Sequence, residues 1–395
     1  MNSIKPTDTF DVAVVGGGPA GATAAETLAR QGRRVLLLDR DGRIKPCGGA
    51  IPPRLVRDFH IPDHLIKARA RSARIISPTD RKVDMPIDGG YVGMVDRCEF
   101  DEWLRQRADQ AGADRRTGRF QHINRPDDGP CVVHYTSKDQ GEQAVRARFV
   151  IGADGASSRV ARQNIPKADQ IPFVYASHEI IETPEDFDGT RCEVYYQGRL
   201  SPDFYGWVFP HGGESSVGTG TAVKGFSIRK ALTDLRAAAG LSDARLIRRE
   251  GAPLPLRPLK RWDNGRDVVV VGDAAGVVAP ASGEGIYYAM LSGQLGAEAV
   301  DACLETADAR LLKQARRRFA REHGRIFWML GIMQKFWYSS DARRERFVTM
   351  CGDPDVQRLT WEAYMNKRLV RARPAAHVRI FIKDMAHLLG LAPST

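Results

Sequence analysis

Phe10-Asp11-Val12-Ala13-Val14-Val15-Gly16-Gly17-Gly18-Pro19-Ala20-Gly21 is a valine-rich run that stops on a cluster of glycines. Outward from it, Ala22 to Arg30 is rich in alanine and reads as a helix. Arg34-Val35-Leu36-Leu37-Leu38 is a second apolar run, and it ends on Asp39. The order is strand, glycine turn, helix, strand, acid. Gly16, Gly18 and Gly21 fit the spacing GxGxxG, with Ala20 in the same turn. Gly16 permits the tight turn, Gly18 lets a pyrophosphate approach the backbone, and Gly21 lets the helix pack closely on the strand. The start of the helix offers free N–H groups and the positive end of its dipole to an anion. Asp39 is spaced to accept hydrogen bonds from a ribose. A glycine turn without a ligand leaves Asp39 unexplained, so the stretch reads as a dinucleotide-binding βαβ unit.

The chain has 395 residues, enough for two fused domains with sizeable cores. No run of about 18 or more apolar residues occurs, so no membrane-spanning helix is expected. The first ten residues, MNSIKPTDTF, lack the apolar core of a secretory signal, which points to the cytoplasm. Cysteines stand at 47, 98, 131, 192, 303 and 351, with no CxxC pair and no zinc spacing, so neither a structural metal nor a disulfide framework is expected. The net charge of +11 favours anionic partners such as phosphorylated cofactors or anionic lipid, or simply keeps the surface soluble. No zinc finger, RNP aromatic motif or helix-turn-helix is evident, so nucleic acid is not expected as a partner.

GxGxxG does not choose between NAD and FAD, but two later stretches bear on it. Arg148-Phe149-Val150-Ile151 leads into Gly152-Ala153-Asp154-Gly155-Ala156-Ser157-Ser158-Arg159. Asp267-Val268-Val269-Val270-Val271 leads into Gly272-Asp273-Ala274-Ala275-Gly276, followed by Pro280-Ala281-Ser282-Gly283-Glu284-Gly285-Ile286 and an expected helix from Tyr287 to Val300. The second stretch repeats the first unit's logic: an apolar strand delivers Asp273 to a crevice, where it can bind ribityl hydroxyls. Backbone donors at Gly285 and Ile286 then suit the edge of a flavin on which negative charge develops.

Together, GGGPAG, GADGASSR and VVGDAAG…SGEGI resemble the flavoproteins built like p-hydroxybenzoate hydroxylase. The resemblance implies an α/β fold: a Rossmann-like FAD-binding domain with an inserted α+β, mainly antiparallel, substrate domain and a helical C-terminal region. The expected FAD-binding segments are 1–70, 95–165 and 260–305. The substrate domain takes 71–94 and 166–259, with a proline-rich connector at 252–258, and 306–395 is helical.

Three further motifs narrow the resemblance. Lys45-Pro46-Cys47-Gly48-Gly49-Ala50-Ile51-Pro52, Phe204-Tyr205-Gly206-Trp207-Val208-Phe209-Pro210 and Asp96-Arg97-Cys98-Glu99-Phe100-Asp101 resemble segments of the geranylgeranyl reductases, flavoenzymes that saturate isoprenoid double bonds. The resemblance implies that Cys47, Gly48, Ala50, Arg97 and Asp154 touch FAD and that Tyr205, Trp207 and Phe209 line the isoprenoid cavity. By residue type alone, the aromatic run suits a greasy wall or an ordinary buried strand, and the resemblance favours the wall. Cys47 has three readings: part of a cofactor loop whose glycines let the backbone approach closely, a reactive thiol, or a small buried hydrophobe. The runs Glu362-Ala363-Tyr364-Met365-Asn366-Lys367 and His377-Val378-Arg379-Ile380-Phe381 resemble the subgroup acting on chlorophyll or bacteriochlorophyll esters.

The implied chemistry passes hydride from a reduced nicotinamide, NADPH, to FAD and on to an alkene of a prenylated tetrapyrrole or an isoprenoid diphosphate. Cys47, Tyr205 or a trapped water is the expected proton donor. Ferredoxin is the other electron donor that a basic protein would attract. Ile326 to Tyr338 is apolar and aromatic between arginine-rich flanks. It is expected either to pack as a core helix or to lie peripherally on a membrane surface. An archaeal-type membrane-lipid reductase, a flavin monooxygenase or halogenase, and a non-catalytic prenyl-lipid carrier are the alternatives.

Overall fold

The strand β1 (Thr9–Val15) is followed by helix α1 (Pro19–Arg30) and strand β2 (Val35–Asp39). This is the βαβ unit read from the glycine pattern. β1 pairs in parallel with β2, from Val12↔Val35 to Val15↔Leu38. Val12, Ala13 and Val14 are fully buried, which accounts for an unbroken apolar run in place of an alternating one. The structure, a computed structural model, describes residue 6 and residues 8–40, 45–87, 90–127 and 129–367.

The chain divides into two compact units. The first comprises Met1–Cys47, Asp96–Tyr175 and Ala252–Leu330. Its sheet has the order β8 (Asp114–Thr117), β2, β1, β11 (Gly141–Gly152), β10 (Cys131–Ser137), β9 (Arg119–Asn124), with β17 (Val268–Val270) also paired to β11. β8, β2, β1, β11 and β17 run parallel, while β10 and β9 add an antiparallel flank. Against it pack α1, α3 (Arg97–Gln110), α4 (Arg159–Asn164) and α6 (Ile286–Thr306). The approach of α6 to α1 depends on small residues: a Cβ on Gly293 would lie 2.1 Å from the Ala20 carbonyl oxygen.

The second unit comprises Gly48–Val95, Ala176–Gly251 and Gly331–Thr395. Its main sheet runs β16 (Leu246–Pro255), β12 (Phe173–Glu182), β15 (Glu214–Thr221), β14 (Gly206–Pro210), β13 (Arg191–Tyr195), β5 (Ser72–Ile76), β6 (Lys82–Pro86). On one face, Val208 and Val217 join Ile76, Ile181, Leu200 and Leu235 in a core closed by α5 (Ile228–Ala238). A separate three-stranded sheet contains β3 (Ala50–Ile51), β7 (Val92–Val95) and β4 (Ile66–Ala70). Residues 48–70, read from the sequence with the cofactor segment, therefore pack with the second unit. They do so because β3 and β4 find their partner in β7. The expected proline-rich connector is also structured as far as Pro255, where it forms the end of β16. An edge strand tolerates proline because its outer N–H groups are not needed by a neighbour.

After residue 306 come α7 (Gln314–Trp337), α8 (Asp341–Met350) and α9 (Pro354–Asn366), and α2 (Pro53–Asp58) lies against α9. On α7, Phe327 and Trp337 are buried, whereas Trp328 is 71% and Ile332 47% exposed. Among the described residues no helix is long and apolar enough to cross a membrane. The run His377–Phe381 lies outside the described residues.

Candidate functional site

In the first unit the glycine turn is held from both sides. Gly16 donates its N–H to the Leu38 carbonyl at 2.7 Å, and Ala153 donates to the Val15 carbonyl at 2.7 Å. Gly16 has φ +106°, and a Cβ there would sit 2.3 Å from the Ala153 carbonyl oxygen. A Cβ on Gly21 would sit 1.8 Å from the Gly16 carbonyl oxygen, so this glycine lets α1 start directly beneath the turn. Gly18 is different: a Cβ there would meet nothing within 4 Å. Its open side faces a cavity of about 480 Å³ whose lining includes Gly16, Gly18, Ala20, Asp39, Asp154 and Asp273. The first α-helical hydrogen bond of α1 runs from Ala22 N–H to Gly18 O. Helix geometry thus leaves the N–H groups of Ala20 and Gly21 without intrahelical acceptors.

Asp39 stands at the end of β2 with Arg105 Nη1 3.5 Å from its Oδ2, and the same nitrogen is 3.3 Å from Gly17 O. Gly17 has to be glycine as well, because a Cβ would fall 2.7 Å from Asp39 Oδ2. Asp273, on the turn Gly272–Ala275 that follows β17, is buried and takes a 2.5 Å hydrogen bond from Lys45 Nζ. Gly285 caps α6, Ile286 opens it, and a Cβ on Gly285 would be 4.0 Å from Asp273 Oδ1. Asp154 has a more local duty: its carboxylate accepts from Ser158 Oγ, from Arg159 N at 2.6 Å and from Val160 N at 3.2 Å, capping α4. Burial raises its pKa, and these hydrogen bonds oppose that rise.

Arg97 opens α3 and is buried against Asp101, with bidentate bonds of 2.8 and 2.7 Å. It also hydrogen-bonds Cys47. Burial opposes its charge, but Asp101 and Cys47 outweigh it and raise the guanidinium pKa. Arg97, Asp101 and Arg105 lie four residues apart on one helix face. That spacing was the signal by which Arg105, absent from the sequence-based set, could have been found. Lys45 had no such signal, since its partner Asp273 is 228 positions away.

Arg105 is steadied by Glu102, which also binds Arg115 through two 2.7 Å bonds. Hydrogen bonds from Arg115 come first among the effects holding the Glu102 carboxylate down to about 2, with burial opposing and Arg105 assisting. A depressed carboxylate pKa contributes stability that is present above the unfolded value of about 4.3 and is lost as pH falls through the folded value. Glu102→Gln should therefore flatten the acid limb of stability between about pH 4.3 and 2, by less than about 1 kcal/mol for so exposed a cluster. Thermal melts across that range check this.

In the second unit the cysteine loop and the aromatic strand meet. A Cβ on Gly48 would lie 3.0 Å from Phe209 Cδ2 and 3.6 Å from Trp207 Nε1. His211 Nε2 is 3.1 Å from the Gly48 carbonyl oxygen and donates to it, and Gly49, at φ +70°, passes under Val95 O and the His211 ring. Ala50 follows in β3, paired with Met94. Alternation along β14 puts Val208 in the core and Trp207 and Phe209 on the opposite face. Tyr205 precedes the strand; its ring lies 4.2 Å from Phe204 and 6.0 Å from Trp207. Trp207 lies flat over Gly218, its register partner, where a Cβ would fall 2.0 Å from Cζ2. His211 and Gly218 were not read from the sequence as site residues.

A family profile described as an FAD binding domain matches residues 9–172. Over 388 residues the chain is 56% identical to the geranylgeranyl diphosphate reductase of Rhodobacter capsulatus, covering 97% of this chain and 98% of that one. The chain belongs to the geranylgeranyl diphosphate reductase family. The chloroplastic geranylgeranyl diphosphate reductase of Oryza sativa is 39% identical, over 96% of this chain and 86% of its own. A solved structure from Thermoplasma acidophilum, described as geranylgeranyl bacteriochlorophyll reductase-like, superposes with a TM-score of 0.82 at 22% identity, covering 93% and 99% of the two chains. That structure establishes the fold, an FAD-binding α/β domain combined with antiparallel sheet and C-terminal helices.

Proposed function

We propose that this protein is an FAD-dependent reductase that saturates double bonds in a geranylgeranyl chain carried as the diphosphate or as a (bacterio)chlorophyll ester. The observation that carries this reading is the packing of Gly48, from the cysteine loop, against Trp207 and Phe209, from the aromatic strand. It joins the two motifs that resemble segments of the geranylgeranyl reductases.

The cradle fits FAD. Gly18 presents open backbone, Ala20 and Gly21 present first-turn N–H groups, and Asp39 and Asp273 present carboxylates to one cavity. In this assignment Gly16, Gly18, Ala20 and Gly21 hold the pyrophosphate, Asp39 the adenosine ribose and Asp273 the ribityl chain. Gly285 and Ile286 donate from the start of α6 to the ring edge, and Arg97, Cys47, Gly48, Ala50 and Asp154 complete the set by family resemblance. FAD bound there and reduced by the electron donor would supply hydride to one carbon of the alkene. An isolated alkene accepts hydride poorly, so an acid of the protein must deliver a proton to the other carbon. Cys47 and Tyr205 are the side chains we assign to that task. Tyr205, Trp207 and Phe209 exclude water and orient the chain.

NADPH is the proposed electron donor, with ferredoxin the other acidic or anionic partner suited to a +11 chain. The exposed Trp328 and Ile332 on an arginine-rich helix support peripheral contact with the cytoplasmic face of an anionic membrane. Incubating the protein with NADPH and geranylgeranyl diphosphate, and following nicotinamide oxidation together with isoprenoid mass, tests the reading; oxidation with no change in mass would refute it. Cys47→Ala should keep FAD and lose turnover by about 10²–10⁴-fold if its thiol is the acid. Full turnover in that variant would leave Tyr205 or a trapped water as the donor.

A further inference from the structure

Trp207 is joined to a buried polar chain, Ser216, His178 and Glu250, that neither the cofactor nor the substrate assignment uses. Trp207 Nε1 is 3.2 Å from Ser216 Oγ, Ser216 Oγ is 2.9 Å from His178 Nδ1, and His178 Nε2 is 3.1 Å from Glu250 Oε2. His178 is 3% exposed, Ser216 0% and Trp207 7%. The four residues come from β12, β14, β15 and β16, so the chain crosses the sheet from its edge to the substrate face. Glu250 is itself secured by Arg248 Nε at 2.8 Å.

Donor and acceptor chemistry fixes the direction of the two outer bonds, and the His178 tautomer sets the middle one. An indole N–H can only donate, so Ser216 Oγ accepts from Trp207. An ionised carboxylate can only accept, so His178 donates Nε2–H to Glu250. The hydrogen bond from His178 is the leading reason the Glu250 pKa is lowered, which keeps it ionised. In the tautomer with a single ring proton, on Nε2, Nδ1 is an acceptor and the Ser216 hydroxyl donates to it. Ser216 then turns a lone pair toward the indole. A chain satisfied in this way has one low-energy arrangement, and rotating Trp207 would take its buried indole N–H away from the Ser216 acceptor.

We infer that His178 is a positioning residue: through Ser216 it fixes the rotamer of Trp207, and so sets which double bonds of the isoprenoid chain are reduced. The inference rests on the reading above that the Trp207 face receives that chain. An indole held by packing alone could tilt as the chain slides to present successive double bonds. Held by Ser216 it stays a rigid wall, and register is kept.

The test uses the FAD-loaded enzyme and geranylgeranyl diphosphate, reading the ratio of partly to fully reduced product, kcat and KM separately, the FAD spectrum and Tm. His178→Ala, Ser216→Ala and Trp207→Phe should each raise the share of partly reduced product and lower kcat/KM roughly tenfold, with the FAD spectrum intact. The double variant His178→Ala/Trp207→Phe should be no worse than Trp207→Phe alone, because the phenyl ring has no N–H to position. His178→Asn places an acceptor near the position of Nδ1 and should restore the product ratio. If His178→Ala does not fold, Ser216→Ala and Trp207→Phe decide the matter. A fall in Tm with an unchanged product ratio and KM would overturn the inference while leaving the reductase assignment intact. A wild-type enzyme that reduces no isoprenoid would overturn both.

Discussion

Gly21→Ala should yield a protein that purifies nearly colourless, with FAD affinity reduced about a hundredfold. The added methyl group would lie 1.8 Å from the Gly16 carbonyl oxygen, a backbone atom that cannot rotate away. Relief requires α1 to move off β1, which opens the turn that the dinucleotide must contact. Overpacking of this kind costs about 1–3 kcal/mol, and here the cost falls on the bound geometry. Titration of FAD against the apoprotein measures it. Gly189→Ala is the control, since a Cβ there meets nothing within 4 Å. Wild-type affinity in Gly21→Ala would mean that the turn is not the pyrophosphate site.

Gly218→Ala should produce the opposite phenotype, a fully yellow protein with turnover reduced about a hundredfold. Its Cβ would fall 2.0 Å from Cζ2 and 2.3 Å from Cε2 of Trp207, so the indole must leave its place over β15. Misplacing a substrate-orienting group by about 1 Å is enough for a loss of this size. The substitution lies in the second unit, whereas the glycine turn assigned to the pyrophosphate belongs wholly to the first, so FAD should stay bound. Steady-state rates, with a thermal melt as a check on folding, give the result. Unaltered kcat/KM would show that Trp207 does not border the path of the chain.

These two substitutions also mark what was legible in the sequence. The cradle was readable because its logic is local: strand, turn, helix and acid follow within about thirty residues, and each glycine answers a short-range need. The aromatic run was legible as a dense apolar stretch, which by residue type suits a greasy wall or a buried strand alike, and only the family resemblance favoured the wall. The supports of both faces were not. Lys45 meets Asp273, His178 meets Glu250, and Gly48 meets Phe209 only after strands distant in sequence have paired. No local periodicity encodes such pairings. The same cause moved residues 48–70 to the second unit, because β3 and β4 are strands only by virtue of β7. Asp154 has a local duty that its motif did not announce: its carboxylate accepts from Ser158, Arg159 and Val160 at the start of α4.

The proposed reaction adds hydrogen, and not oxygen, to an isoprenoid. The most direct measurement is a single turnover under nitrogen. The FAD-loaded protein is reduced with dithionite and mixed with geranylgeranyl diphosphate, and the visible spectrum and the mass of the isoprenoid are followed together. The expected result is return of the oxidised flavin spectrum without air, matched by isoprenoid masses that rise in steps of one hydrogen pair. A spectrum that returns only when air is admitted, with an isoprenoid that gains oxygen or stays unchanged, would contradict the assignment and move the chain to the oxygenases that share its fold.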